Sequence, residues 1–363
     1  MNRRRVLVIG AFDPATPRSR QWFRLLDRLD CTVEVHNSAA WERDRVEATA
    51  SSPGSMIRNL SRGLWPAIRY LWTCERPDVV LFLYPGHLDA CILGPIARLR
   101  RIPTALDAFI SLYDTIILDR RMRGRSSPLA IAVRLLDACA CWSANTVVVD
   151  TPPDGDFFAR LSRRPRRHFA VLWVGADEAL YGPGADPGDD GPILWYLTFI
   201  PLHGVETVLR AAALMDGDTR TFRLIGDGQA RDEAETFARD LGLTNVEFVD
   251  RLPEVALQPE IARSSVCLGA FGTTPKAGRV VPNKVFQCAA AARPVVTADT
   301  PALRASFGDS LDLVPAGDAA ALADALRSLR GDARRKAGER ARAAFVEQFS
   351  DAVLAGDLAR VLG

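Results

Sequence analysis

The run Asp78-Val79-Val80-Leu81-Phe82-Leu83-Tyr84 constrains the chain more than any other feature, because it is apolar almost without interruption. A strand with one wet face alternates; a strand this apolar is covered on both faces, as in parallel sheets flanked by helices. Parallel neighbours require crossover connections, so strands should alternate with helices along the chain. They do. Arg5 to Gly10 reads as a strand, Ser19 to Leu29 as an amphipathic helix and Cys31 to His36 as a second strand. Ile92 to Leu99, Pro103 to Leu106, Leu129 to Ser143 and Thr146 to Val149 continue as helix, strand, helix, strand. After Tyr181 to Pro192, which has the Pro, Gly and Asp composition of a linker, the alternation restarts. Strands are expected at Ile193 to Leu197, Thr221 to Ile225, Val246 to Val249 and Val266 to Ala270. Helices are expected at Val205 to Leu214 and Glu233 to Leu241, and the chain closes on charge-striped helices at Ala319 to Leu329 and Arg334 to Leu362. With 363 residues, the chain is too long for one ordinary core. The expectation is α/β throughout, in two Rossmann-like domains: residues 1–178, a linker at 179–192, and residues 193–344, with 345–363 as a final helix.

Hydrophobic residues make up 48% and charged residues 25%, the balance of a soluble globular protein. No apolar run approaches the roughly 20 residues needed to span a bilayer. Val6 to Ile9 is too short for a signal-peptide core, which points to the cytoplasm. The seven cysteines are scattered without a Cys-x-x-Cys pair, and the closest two, Cys139 and Cys141, have no histidine near them in sequence. Reduced thiols, with no metal, are expected. Net charge is only +2, but residues 1–180 carry 26 basic against 19 acidic side chains and the remainder 20 against 25. The basic half suits an anionic partner. Nothing resembles a nucleic-acid module with interleaved aromatics.

Chemistry concentrates between Gly278 and Val296, which reads as loop, helix and buried strand. Pro282 precedes the helix, Asn283 is a candidate N-cap, and Arg293 is the last helical candidate before Pro294. An exposed helix N-terminus gathers unpaired N–H groups and the positive end of the macrodipole, so it suits phosphate. Lys284 adds a full charge there. Gln287, three residues beyond Lys284 and four beyond Asn283, shares their edge and can hold a ribose diol. A short surface helix with a snorkelling lysine is the alternative. A second glycine-rich turn, Gly226-Asp227-Gly228, follows Phe222 to Ile225, where glycines let a ligand approach the backbone. The third glycine of a dinucleotide fingerprint would be residue 231, which is Arg231, so the turn is not a GxGxxG.

The run from Phe271-Gly272-Thr273 through Pro294-Val295-Val296 resembles the donor-binding signature of GT-B glycosyltransferases, specifically the retaining enzymes of family 4. Pro282-Asn283-Lys284 is similar to the Pro-x-Lys of one branch. In that family two glutamates eight residues apart precede the helix and strand; here Arg279 and Gln287 occupy those positions. The resemblance implies a GT-B fold with a nucleotide-sugar donor, of UDP or GDP type, in the cleft between the domains. It also implies transfer of a hexose-type sugar with retention, no metal or cofactor, and a final helix from Phe345 to Leu362 that crosses back to the first domain.

The same resemblance distributes roles. Asn283 and Lys284 would bind diphosphate and Gln287 ribose. Gly226 and Gly228 correspond to a Gly-Asp-Gly beside the nucleotide. His203, in Pro201-Leu202-His203-Gly204, stands where a basic residue faces the diphosphate, and Thr198 where its companion arginine would be; a diphosphate would favour a charged His203. Lys276 and Arg279 would stabilise the departing diphosphate. Asp107, at the end of Ala105-Leu106-Asp107, would face the donor sugar, a helix cap being the other reading. Arg18, Arg20 and His87 lie in loops on the same expected rim and are acceptor candidates.

The basic clusters at Arg98 to Arg101, Arg120 to Arg125 and Arg163 to Arg167, with the aromatic segment Leu64 to Trp72, suit peripheral contact with an anionic bilayer and a lipid-linked acceptor. Solvated arginines and a core helix are the alternative. Two further classes stay open: a GT-B-like binding or scaffold protein, since neither glutamate position is acidic, and a nicotinamide-dependent oxidoreductase. The latter is disfavoured because the first strand ends Gly10-Ala11-Phe12-Asp13, without the dinucleotide glycines.

Overall fold

A computed structural model describes residues 3–37, 64–119 and 124–363. The chain divides into two compact units, 1–173 with 354–363, and 174–353.

The first unit holds six parallel strands: β1 (Arg5–Gly10), β2 (Thr32–Asn37), β3 (Val79–Phe82), β4 (Thr104–Asp107), β5 (Thr146–Val149) and β6 (Phe169–Val171), in the order β2-β1-β3-β4-β5-β6. The unbroken apolar runs follow from this sheet's two covered faces. Leu7, Ile9, Val80 and Phe82 enter one core with helices 64–73, His87–Leu99 and Pro128–Ser143. Val6, Val8, Val79 and Leu81 enter the other, with Trp22, Leu25 and Leu26 of helix Pro17–Arg28. Successive residues point to opposite faces, so a strand buried twice can spare no polar position. The aromatic segment is amphipathic: Ala67 and Leu71 are core, while Trp65 and Trp72 are exposed.

The second unit repeats the architecture with β7 (Ile193–Thr198), β8 (Phe222–Asp227), β9 (Val246–Val249), β10 (Val266–Leu268), β11 (Val295–Ala298) and β12 (Asp312–Val314), parallel in the order β12-β11-β10-β7-β8-β9. The order reverses between β7 and β10. The carboxyl ends of the strands at such a reversal are where ligands of these sheets bind.

Two local expectations differ from the structure. The Pro and Gly stretch is anchored to the second unit: Arg334 bonds Asp186 and Asp189 at 2.6 and 2.7 Å, and Arg293 donates to the Ala185 carbonyl at 2.7 Å. The terminal helix is broken at Ser350, whose extended backbone (ψ 152°) separates Gly331–Phe349 from Asp351–Leu362. Leu354, Leu358 and Leu362 of the last segment complete the core around Trp22. Among the described residues no helix is long and apolar enough to cross a membrane. Most of the basic run Arg120 to Arg125 lies outside the described residues.

Candidate functional site

In the second unit the loop after β7 and the loop after β10 are packed backbone to backbone. Phe271 N–H donates to the His203 carbonyl at 2.9 Å. A Cβ on Gly204 would stand 2.6 Å from the Gly272 nitrogen, and one on Gly272 would stand 2.3 Å from the Leu202 carbonyl. Glycine at both positions lets the loops meet at the switch point. Trp195 of β7 lies beneath them, fully buried, with Nε1 donating to the Gly269 carbonyl at 2.6 Å.

The helix expected to carry the chemistry spans Asn283–Ala290. Its cap is Pro282, not Asn283, and no side chain caps the first turn. It ends earlier than Arg293, because Ala291 closes it and Ala292 turns into the left-handed region (φ 56°). Lys284 points inward. It is 5% exposed, its Nζ has no hydrogen-bond partner among the described residues, and it lies 5.3 Å from the centre of the Trp195 ring. Burial pulls its amine down to about 7, since a desolvated ammonium is costly. An amine at the positive end of a helix, facing an aromatic ring and lacking a carboxylate partner, is an arrangement that an anion would complete.

His203 shares this environment. It closes the turn Pro201–His203, is buried against the edge of Trp195, and lies 2.6 Å through Nδ1 from the Thr198 carbonyl. Burial first, and the nearby Lys284 charge second, drive its pKa down to about 3. The ring is therefore neutral. With a carbonyl as the partner, Nδ1 carries the proton and Nε2 is an acceptor, so the expected cationic role is not how this histidine is held. Thr198 is exposed at the strand end, and its carbonyl orients the imidazole.

Gln287 is held from within. Its Oε1 accepts from the Tyr196 hydroxyl at 2.7 Å, and Cys288 Sγ lies 3.7 Å from the same hydroxyl. The hydroxyl thus fixes the orientation of the side-chain amide. Gly226 and Gly228 have positive φ (152° and 149°), but the backbone that approaches them is the chain's own. A Cβ at Gly226 would fall 1.8 Å from the Leu197 carbonyl, and one at Gly228 would fall 2.6 Å from the Phe199 nitrogen. Lys276 and Arg279 are half-buried on the loop before the helix, where Arg279 folds back to donate to the Pro275 carbonyl at 3.0 Å.

The candidates in the first unit are placed differently. Asp107 is fully buried and 2.7 Å from the Arg18 guanidinium, which also bonds Gln21 and the Leu172 carbonyl at 3.0 and 2.9 Å. The presumed sugar-facing carboxylate and the presumed acceptor arginine are each other's partners, and Asp107 does not cap a helix either. The pair ties together the ends of β4 and β6 and helix Pro17–Arg28. His87 is likewise interior: it begins helix His87–Leu99, is fully buried, and has Nε2 3.7 Å from Asp137, with burial lowering its pKa. Neither Arg18 nor His87 is open to an acceptor. Arg20 remains half-buried on the first helix.

Sequence reasoning brought Lys284, His203, Thr198 and Gln287 to one region and missed the two residues that organise it. Trp195 and Tyr196 read as ordinary strand residues. The available signal was their place on the strand leading to the switch point, which brings their rings under the helix that carries Lys284.

Two α/β units with these strand orders form the GT-B architecture. Over 99% of both chains it is similar to Anabaena Alr3699/HepE in complex with UDP and glucose (TM-score 0.70, 15% identity). It is also similar to sucrose-phosphate synthase from Thermosynechococcus elongatus (TM-score 0.73, 17% identity, 99% and 98% covered) and to the lipopolysaccharide outer core galactosyltransferase WaaB (TM-score 0.64, 12% identity, 99% of both). Residues 192–332, within the second unit, match the family described as glycosyl transferases group 1. No curated protein matches the chain in sequence.

Proposed function

We propose that the protein is a glycosyltransferase that moves a hexose-type sugar from a nucleotide-diphosphate sugar to a hydroxyl of a saccharide, lipid-linked or small-molecule acceptor, with retention of configuration. The observation that carries this is Lys284: a buried amine with no hydrogen-bond partner among the described residues, at the uncapped start of the helix beside the switch point. The diphosphate would sit on the first-turn amides and Lys284, and the Gln287 NH2 would take a ribose oxygen. Lys276 and Arg279, on the adjoining loop, would offset charge on the departing diphosphate. In the transfer, the bond from the anomeric carbon to the phosphate oxygen breaks and the bond to the acceptor oxygen forms on the same face. The acceptor proton passes to the leaving phosphate. Neutral His203 offers Nε2 as an acceptor within this site. A lipid-linked acceptor would bring the chain to the cytoplasmic surface of a membrane. The match to glycosyl transferases group 1 supports the reading, as do the neighbours solved with UDP, UDP and glucose, and UDP-glucose.

The test is a thermal-shift screen against UDP, GDP, ADP, their common sugar conjugates and NAD, repeated on Lys284→Ala. A ligand at a hundred times its dissociation constant stabilises by about 2.7 kcal/mol, or a few degrees for a protein of this size. A response to one nucleoside diphosphate that is lost in the variant is the expected result. A response to NAD alone overturns the reading. Nucleotide binding without sugar transfer or donor hydrolysis would favour a binding protein, consistent with Gln287 and Arg279 in place of two glutamates.

A further inference from the structure

All seven cysteines are free thiols, and four of them meet in pairs. Cys267 of β10 and Cys288 of helix Asn283–Ala290 hydrogen-bond side chain to side chain, but both are buried. Cys91 of helix His87–Leu99 and Cys139 of helix Pro128–Ser143 do the same. Here Cys139 is exposed and Cys91 half-buried. The second pair therefore offers a sulfur to a dissolved oxidant and the first does not.

The backbone brings Cys91 and Cys139 together. Their helices connect β3 to β4 and β4 to β5, neighbouring parallel strands, so the two run in the same direction, and Ala90, Leu93, Ala97, Ala140 and Cys141 pack into one core. They touch at Gly94, where a Cβ would stand 2.5 Å from the Ser143 carbonyl. Cys91 lies three residues before Gly94 and Cys139 four before Ser143, so each sits one turn before the contact and on the same face as it. Cys91 Sγ donates to the Leu136 carbonyl at 3.7 Å, and Cys139 Sγ lies 4.0 Å from the Ser143 hydroxyl. A disulfide needs side chains that face each other across a short gap between backbones, and this crossing supplies it. The two sulfurs differ in reactivity. Burial, with Cys139 beside it, pushes the Cys91 thiol up, so Cys91 keeps its proton and Cys139 is the sulfur that an oxidant meets. Disulfides in a reducing compartment are chiefly transient or redox-sensing, and an accessible sulfur beside a resolving partner is the arrangement of a sensor.

We propose that Cys91 and Cys139 are a redox pair that hydrogen peroxide closes into a disulfide and a small thiol reopens. Cys139 sulfur takes one oxygen from the peroxide, which gives a sulfenic acid and releases water. Cys91 sulfur then bonds to that sulfur, the S–O bond breaks, and the departing hydroxide takes the Cys91 proton and leaves as a second water. The two thiols lose two electrons and the peroxide gains them; exchange with two equivalents of thiol reverses the bridge. It would lie two residues from Asp137, whose carboxylate holds the loop after β4 by accepting from Ser111 Oγ at 2.6 Å and from Tyr113 N–H at 3.0 Å.

The inference does not depend on the sugar-transfer reading. Its test treats the folded full chain with a small molar excess of hydrogen peroxide, blocks the remaining thiols with iodoacetamide, and maps the cysteine peptides by mass spectrometry with and without dithiothreitol. The expected product is a monomer that has lost two thiols, with the Cys91 and Cys139 peptides joined and both thiols restored by dithiothreitol. In Cys91→Ser, with an unchanged circular dichroism spectrum, the bridge is absent and dimedone captures a sulfenic acid at Cys139. Wild-type protein that carries sulfenic or sulfinic acid at Cys139 beside a free Cys91 overturns the proposal. So does a first bridge elsewhere, from Cys267 to Cys288 or between two chains, and so does resistance of both thiols to peroxide.

Discussion

Lys284 is the residue on which most turns, and its position makes a signed pH prediction. An amine lowered from 10.5 to about 7 binds fewer protons in the folded than in the unfolded chain between those values. Stability therefore rises with pH across that window, and below about 7 the cost of the buried charge is felt in full. The same fall bounds that cost at about 5 kcal/mol. Lys284→Met should accordingly be more stable than the wild type at pH 6, with the advantage fading toward pH 10; denaturant titrations at the two pH values check this. Phosphate reverses the preference by favouring the ammonium, so nucleotide affinity should fall up to tenfold per pH unit above about 7. The sequence contains three lysines, Lys276, Lys284 and Lys336, so 13C-labelled lysine gives three side-chain signals, with Lys284→Arg identifying one. That signal should titrate near 7 and move to higher pH on adding UDP-glucose. A signal that stays in the ordinary lysine range refutes the account of Lys284 whether or not nucleotide binds.

Asp107 and Arg18 make a contrasting case, because chemistry and structure predict different losses. Breaking a buried pair leaves an uncompensated charge, so Asp107→Leu should cost about 3 to 5 kcal/mol, whereas Asp107→Leu with Arg18→Met should recover much of it. Equilibrium unfolding of the three proteins checks this. A single variant of wild-type stability that loses transfer activity would return Asp107 to the reacting atoms.

At the scale of elements, the glycines after β8 separate close strand pairing from ligand approach. A Cβ at Gly226 would overlap the Leu197 carbonyl, and its φ of 152° is strained for any other residue. Gly226→Ala should therefore force β7 from β8 and cost about 3 kcal/mol or more, seen as an early unfolding transition even without ligand. A variant with wild-type melting that loses only nucleotide affinity would show that a ligand, not the neighbouring strand, requires the glycine. The strands themselves were legible because burial on both faces leaves a mark in every residue; Arg5–Gly10 and Thr146–Val149 were readable to their ends. Helix ends were less so. The stop after Ala290 depends on Ala292 in a left-handed conformation that glycine usually marks, and the break at Ser350 depends on one extended serine with neither proline nor glycine beside it. Buried partnerships were illegible for a different reason. Arg18 with Asp107 and Tyr196 with Gln287 are 89 and 91 residues apart, and only the strand order brings them together.

For the whole molecule, the decisive feature is that the last ten residues belong to the unit the chain began with. Leu354, Leu358 and Leu362 recur at helical spacing and are buried with Trp22, Leu25 and Leu26, while Arg4 donates to the Leu362 carbonyl at 2.9 Å. Fully burying a leucine is worth about 1.5 to 3 kcal/mol, so removing the three sacrifices roughly 5 to 9 kcal/mol, as much as many domains possess. The second unit loses nothing comparable, because helix Gly331–Phe349, which packs through Phe349 against Phe286 and Phe307, is retained. A chain ending at Val353 should therefore show a first unit that melts early or is already unfolded. The second unit's transition should stay near its wild-type temperature and still respond to nucleoside diphosphate. Calorimetry with and without UDP checks this. A single transition shifted downward as a whole would instead mean that the two units unfold as one, and that the last helix supports both.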